Sequence, residues 1–149
     1  MLLFGLLVSV LGSYAILVAP RRLRRIELEV PVSGLDPAFD GYTIGVLSDL
    51  HHAWHPGSGH IRRAVQLVMD TSPDLIALLG DYCVSFKHSA RASRLFYRTA
   101  MGSLRPFLQR LGAPDGVVGV LGNHDYYYDA PVVAEWLIGG RLTRLVEER

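Results

Sequence analysis

Residues 42–51 read YTIGVLSDLH, a short apolar run that ends in polar side chains. Two later stretches repeat this arrangement, LIALLGD at residues 75–81 and VVGVLGNHD at residues 117–125. Short apolar runs that end in turn-forming residues are typical of buried strands. We therefore predict three buried strands, each of which leads directly into a polar loop.

Helical patterns separate and follow these strands. Apolar residues recur at helical spacing in residues 61–69, and the patterns of residues 91–111 and 130–138 also favour helices. Strands that alternate with helices are typical of an α/β fold with a parallel sheet. Right-handed crossovers in such a sheet bring the carboxyl ends of the strands to one edge.

The segment before the first buried strand has a different pattern. Residues 25–32 alternate between apolar and charged side chains, which predicts a half-buried strand at an edge of the sheet. Residues 33–41 contain two glycines and a proline, and we predict a loop there. The length of 149 residues fits one domain, and the composition excludes a disordered tail, a collagen-like repeat and a coiled coil.

Side chains that can bind a metal ion follow each predicted buried strand. Any one of them has an ordinary explanation, because an aspartate after a strand often caps a helix or a turn. Three such groups at matching strand ends favour a shared site, since ligands of open α/β sheets bind outside the carboxyl ends of the strands. Oxygen and imidazole ligands suit Mn²⁺, Fe or Zn²⁺. The groups are Ser48, Asp49 and His51, then Asp81, then Asn123, His124 and Asp125. Gly80 and Gly122 precede the second and third groups, and we predict turn glycines there because glycine lets the backbone turn sharply.

The order and spacing of these three groups resemble the first three signature blocks of the calcineurin-like metallophosphoesterases. The apolar start of the chain and the stretch VLSDLHH at residues 46–52 are most similar to the membrane-associated bacterial branch of that superfamily. The resemblance implies an α/β fold in the form of a four-layer metallophosphoesterase sheet sandwich, of which this chain carries the N-terminal half. It also implies an enzyme that hydrolyses a phosphomonoester, phosphodiester or pyrophosphate bond.

The same resemblance implies a dinuclear centre with two divalent metal ions, which would be Mn, Fe or Zn. Asp49 and His51 would hold the first ion, Asp81 would bridge the two ions, and Asn123 would bind the second. The nucleophile would be a metal-bound hydroxide, which such ions supply near neutral pH.

His124 would be catalytic rather than a metal ligand. By the resemblance it would lie beside the scissile phosphate, stabilise the negative charge there and help to protonate the leaving oxygen. Asp125 would orient the His124 ring by accepting a hydrogen bond from it.

The chain departs from the family pattern after His124, because no histidine follows that residue. The later family blocks supply the remaining ligands, so the second ion would keep only Asp81 and Asn123. We therefore expect an incomplete sequence that lacks the second half of the sandwich and leaves an apolar face of the sheet uncovered. The alternative is a non-catalytic, membrane-anchored fragment that binds one metal ion or a partner.

Residues 1–19 contain no charged side chain. A helix of this length would be slightly shorter than the thickness of a bilayer core, which is about 30 Å. Arginines follow this run, whereas a signal peptide carries basic residues before it. We predict an N-terminal transmembrane helix, a single-pass membrane anchor over residues 1–20, with the domain on the cytoplasmic face. A basic collar, edge strand and loop over residues 21–41 would then lead to the metallophosphoesterase domain at residues 42–149.

The net charge, the loop histidines and the single cysteine limit the possible partners and site residues. A phosphoester substrate at a membrane could be lipid-linked, and nucleic acid is not an expected partner because the formal net charge is only +1. His52 and His55 either contact substrate or lie exposed in a loop. The single cysteine, Cys83, excludes an intramolecular disulfide and a CxxC zinc site, and we predict a small buried side chain there.

Overall fold

A computed structural model describes residues 1–18, 22–53, 59–84, 90–139, 142 and 144–145. The chain divides into two compact units, residues 1–31 and residues 32–149. The first unit begins with helix α1 (Leu2–Ser13), which continues as a π-helical turn at Tyr14–Val18. Within the described ranges no helix is both long and apolar enough to cross a membrane. The predicted transmembrane helix is therefore not supported by the structure.

The predicted edge strand at residues 25–32 is not among the strands that the structure describes. The structure describes this segment without a strand, and its apolar side chains Ile26, Leu28, Val30 and Val32 are exposed. A strand needs a neighbour to receive its backbone hydrogen bonds. None of the described strand pairings includes these residues.

The second unit contains a four-stranded parallel sheet in the order β1-β2-β3-β4, as the alternation of strands and helices predicts. The strands are β1 (Ile44–Leu47), β2 (Leu75–Leu78), β3 (Val117–Gly119) and β4 (Arg144–Leu145). In the register of the first three strands Leu47 lies beside Leu78, and Leu78 lies beside Gly119. The three strands therefore end level with one another at a single edge.

Three helices connect the strands: α2 (Gly59–Met69), α3 (Ala90–Leu108) and α4 (Asn123–Ile138). The first two agree with the predicted helices, whereas α4 begins at Asn123 instead of residue 130. The cause lies in its first turn, where the carboxylate of Asp125 accepts a hydrogen bond from the Gly122 N–H at 2.8 Å. Such a bond satisfies a donor that a helix start otherwise leaves without a partner.

The core lies between the helices and one face of the sheet. Right-handed crossovers place all the connecting helices on the same face when strand order follows chain order. On the other face Ile44, Val46 and Leu79 are about half exposed, which matches the expected uncovered apolar face. The buried core side chains include Ile61, Val65, Ile76, Leu78, Tyr97, Met101, Leu104, Val117, Val133 and Leu137.

Candidate metal centre

The loops that follow β1 and β2 stay hydrogen-bonded to each other beyond the strands. The Asp49 N–H donates to the Gly80 carbonyl at 3.2 Å, and the His51 N–H donates to the Asp81 carbonyl at 3.0 Å. The His52 N–H continues the series to the Tyr82 carbonyl at 2.9 Å. This ladder fixes the relative position of the two loops, so the side chains of Asp49, His51 and Asp81 start from one defined backbone frame.

The loop after β3 approaches the loop after β2 so closely that both facing residues must be glycine. A Cβ atom on Gly80 would lie 2.3 Å from the Gly122 nitrogen, and one on Gly122 would lie 2.2 Å from Oδ1 of Asp81. Gly80 also has φ +93°, in the left-handed region that glycine adopts without steric cost. The sequence predicts turn glycines here, and the structure adds that Gly122 is needed for close backbone approach.

A buried carboxylate fastens the two loops together. Asp125 is completely buried, and its Oδ2 accepts hydrogen bonds from the Asp81 and Gly122 N–H groups, each at 2.8 Å. Its Oδ1 accepts from the Tyr82 N–H at 3.2 Å and from the Tyr97 hydroxyl. The expectation that Asp125 orients His124 is therefore wrong, because both of its oxygens bind backbone and Tyr97 groups of the core.

Burial raises the pKa of Asp125, while the hydrogen bonds from Tyr97 and the backbone act in the opposite direction. Burial and the nearby Asp125 charge also raise the pKa of Tyr97, which keeps its hydroxyl protonated as a donor. A buried carboxylate with four donors is well compensated, and hydrogen bonds to an ionised group are among the stronger ones.

Three of the predicted site residues have strained backbones. Asp49 (φ 52°), His51 (φ 42°) and Asp81 (φ 54°) all adopt the left-handed region, where Ser72 is the remaining non-glycine residue within the described ranges. Such conformations cost about 1–3 kcal/mol each and persist where the surrounding structure enforces them, often at functional sites. Here the inter-loop ladder and Asp125 enforce them.

The side chains of His51, Asp81 and His124 converge into a group that can hold a metal ion. One potential ligand atom from each residue lies within 4.8 Å of the other two. The ring centroids of His51 and His124 are 5.0 Å apart, with the rings at 78° to each other. His124 thus lies where it could bind a cation as well as face a bound phosphate.

The Asp81 carboxylate is aimed by the start of α4. Its Oδ1 accepts the His124 backbone N–H at 2.9 Å, and the positive end of the helix dipole favours a negative charge at this position. Its Oδ2 lies 3.7 Å from Nε2 of His51, which is too long for a hydrogen bond. Two ligand atoms that bind one ion at about 2.0–2.2 Å each can have such a separation. The donor set therefore fits a divalent metal ion.

Asp49 lies at the open side of this group. Its Oδ1 is 3.3 Å from Nε2 of His51, its Oδ2 accepts the Ser48 hydroxyl at 2.5 Å, and its side chain is 64% exposed. The hydrogen bonds from Ser48 and His51 lower the pKa of Asp49, so this carboxylate is ionised at neutral pH. Asn123 is exposed in the first turn of α4, directly before His124.

The sequence pattern did not point to two aromatic residues beside this group. Tyr97 lies in the middle of α3, where nothing in its local pattern separates it from other core positions. Its ring stacks on Tyr128 with centroids 5.0 Å apart, and Tyr128 in turn lies 6.2 Å from the His124 ring. The spacing from His124 to Tyr128 is four residues within a helix, a signal that could have been found had α4 been predicted to start at Asn123.

His52 fits neither predicted alternative. It is buried, and its Nε2 lies 2.8 Å from the Ser103 hydroxyl, which itself donates to the Ala100 carbonyl. The hydroxyl proton is already used, so Nε2 of His52 is the donor. His55 lies outside the described residues. Cys83 is fully buried, as predicted, and burial raises its pKa.

The fold and the site together define an α/β domain with a candidate metal centre at the carboxyl edge of its parallel sheet. The calcineurin-like phosphoesterase family matches residues 42–144. The chain therefore belongs to this family of hydrolases that act on phosphoric esters, which confirms the resemblance found in the sequence.

Three proteins of similar sequence carry the word metallophosphoesterase in their names. A protein of Danio rerio named "Transmembrane protein with metallophosphoesterase domain" is 30% identical over 122 residues, which cover 82% of this chain and 25% of that protein. The protein of the same name from Bos taurus is 34% identical over 119 residues, 80% of this chain and 24% of its own length. An uncharacterized metallophosphoesterase of Bacillus subtilis is 25% identical over 117 residues, 76% of this chain and 37% of that protein.

The chain thus spans about a quarter of the length of the two vertebrate relatives. No solved structure matches the chain at a significant level.

The close approach of the loops predicts the effect of a single methyl group. Gly122→Ala should lower the free energy of unfolding by about 1–3 kcal/mol, because the new Cβ would overlap Asp81. Gly112→Ala is the matched control, since a Cβ there meets nothing within 4 Å. Urea denaturation of both variants measures the difference, and equal midpoints would contradict the close approach.

Proposed function

We propose that the protein is a metal-dependent phosphoesterase that hydrolyses a phosphomonoester, phosphodiester or pyrophosphate bond. The observation that carries this proposal is the convergence of His51, Asp81 and His124 at the edge where the strands end. Membership of the calcineurin-like phosphoesterase family supports the reaction class. The strained backbones of His51 and Asp81 support a site whose geometry matters more than its stability.

In this proposal Asp49, His51, Asp81 and Asn123 would hold two divalent ions, and Asp81 would be the ligand that both ions share. Oxygen and imidazole donors suit Mn, Fe or Zn. When bound, such ions lower the pKa of a water ligand and offset the charge of a phosphate group. The buried Asp125 and the His124 N–H orient Asp81 from within the protein.

His124 takes the role of a proton donor and charge-stabilising group at the phosphate. Its ring lies edge-on to His51 and is partly exposed, so it is open to a substrate on the solvent side. Its backbone is fixed, because its N–H donates to Asp81 at the first turn of α4. A fixed backbone limits the ring to its side-chain rotations, so His124 would stay within reach of a phosphate bound at this site.

We further propose that residues 1–20 hold the protein at a membrane, with the domain on the cytoplasmic face. The exposed apolar side chains of α1, among them Leu3, Phe4, Leu6 and Leu7, support this location. Two relatives are named transmembrane proteins. A phosphoester that is itself linked to a lipid is the substrate that such a location favours.

The site assignment predicts large losses of activity. The full chain with Mn²⁺ should hydrolyse bis(p-nitrophenyl) phosphate, and Asp81→Asn or His124→Ala should lower kcat/KM by about 100-fold or more. Asp70→Asn is the control, because Asp70 follows the last residue of α2 and is exposed. Variants as active as the wild type would contradict the assignment. A wild type inactive with Mn²⁺, Fe²⁺ and Zn²⁺ would favour the non-catalytic fragment.

The membrane proposal predicts fractionation behaviour. The protein should stay in the membrane pellet after a high-salt wash, because apolar burial does not weaken with salt as charge attraction does. Replacing Leu6 and Leu7 with lysine should release it into the supernatant. Release of the wild type by salt alone would contradict attachment through α1.

A further inference from the structure

A series of aromatic rings leads from the candidate metal centre to the surface. The His124 ring lies nearly parallel to Tyr128, at 24° and 6.2 Å between centroids. Tyr127 meets Tyr128 edge to face, at 86° and 5.1 Å. The rings of His124, Tyr128 and Tyr127 therefore form a continuous series along the first turns of α4. We call these three residues the aromatic path.

The inner part of this path is held rigid by the core. Tyr128 stacks on Tyr97 with centroids 5.0 Å apart and ring planes at 29°. Tyr97 is completely buried, and its hydroxyl donates to Asp125. The carboxylate that fastens the metal-site loops thus also fixes the ring beneath Tyr128. A rigid ring gives up little conformational entropy when a ligand packs near it.

The outer end of the path is open to solvent. Tyr127 is 80% exposed, although one of its sides contacts Tyr128. It follows His124 by three residues in α4, so the two side chains lie on neighbouring positions of one helix face. A single exposed tyrosine on a helix is ordinary. This one differs because ring contacts connect it to a histidine of the candidate active site.

We propose that Tyr127 is the outer wall of a substrate subsite that takes a planar aromatic group esterified to the phosphate. The phosphate would lie at His51, Asp81 and His124, and the aromatic group would stack on Tyr127. Ring stacking adds about 2- to 10-fold in affinity at such contacts. The inference rests on the proposed function, because it assigns the substrate class of the same site. Both an aryl ester and a nucleoside ester meet this description.

Binding of non-reacting probes tests the subsite without relying on turnover. Calorimetry with Mn²⁺ should show that the full chain binds phenylphosphonate about 2- to 10-fold more tightly than methylphosphonate. Tyr127→Ala should remove this preference, and Tyr127→Phe should retain it because the ring remains. Tyr126→Ala is the matched control. Tyr126 is also exposed, but it follows His124 by two residues and therefore lies on a different side of the helix.

A second pair of probes separates the two sources of the ring. The phosphonate analogue of adenosine 5′-monophosphate against that of ribose 5-phosphate, in which a methylene group replaces the ester oxygen, reports on a nucleoside. The pair with the larger Tyr127-dependent preference identifies the source. A wild type without preference in either pair, or a preference that survives Tyr127→Ala, would overturn the inference. A Tyr127-dependent preference without hydrolysis of any phosphoester would overturn the proposed function and leave the subsite standing.

Discussion

The backbone N–H of Asp81 donates to the buried carboxylate of Asp125, and the rest of the site depends on this interaction. The same carboxylate receives the Gly122 N–H, so one side chain joins the loop after β2 to the loop after β3. Because Asp125 is the third residue of α4, the bond that closes the two loops also starts the helix. The His124 N–H then donates to Oδ1 of Asp81. Fold and site are therefore linked through one aspartate pair.

This arrangement explains how a strained site persists. Asp49, His51 and Asp81 adopt backbone conformations that L-residues seldom take. Each costs free energy that no local contact recovers, so the cost must be offset elsewhere. The hydrogen bonds between the two loops and the four hydrogen bonds to Asp125 offset this cost. The groups that make these bonds do not face the solvent side of the site. The candidate ligands are left free to bind an ion because other residues hold their backbones.

The sequence predicts those features that depend on local pattern. Apolar runs predict β1, β2 and β3, and the polar residues that follow them predict where Asp49, His51, Asp81 and His124 meet. The direction of Asp125 could not be predicted, because it depends on how closely Gly80 and Gly122 approach. The alternation at residues 25–32 has the period of a strand, yet a period alone does not supply a neighbouring strand. Tyr97 was missed because its partner is far away in sequence.

The most direct measurement is the Mn²⁺ affinity of Asp125→Asn, by calorimetry on the full chain, with Asp70→Asn as control. The amide keeps the size of the carboxylate but puts an NH₂ group where backbone N–H donors need an acceptor. Residues that orient ligands without binding the metal typically contribute about 10- to 100-fold to metal affinity. We therefore expect a loss of that order for Asp125→Asn in protein that remains folded by circular dichroism. Wild-type Mn²⁺ affinity in the folded variant would contradict the claim that Asp125 assembles the site.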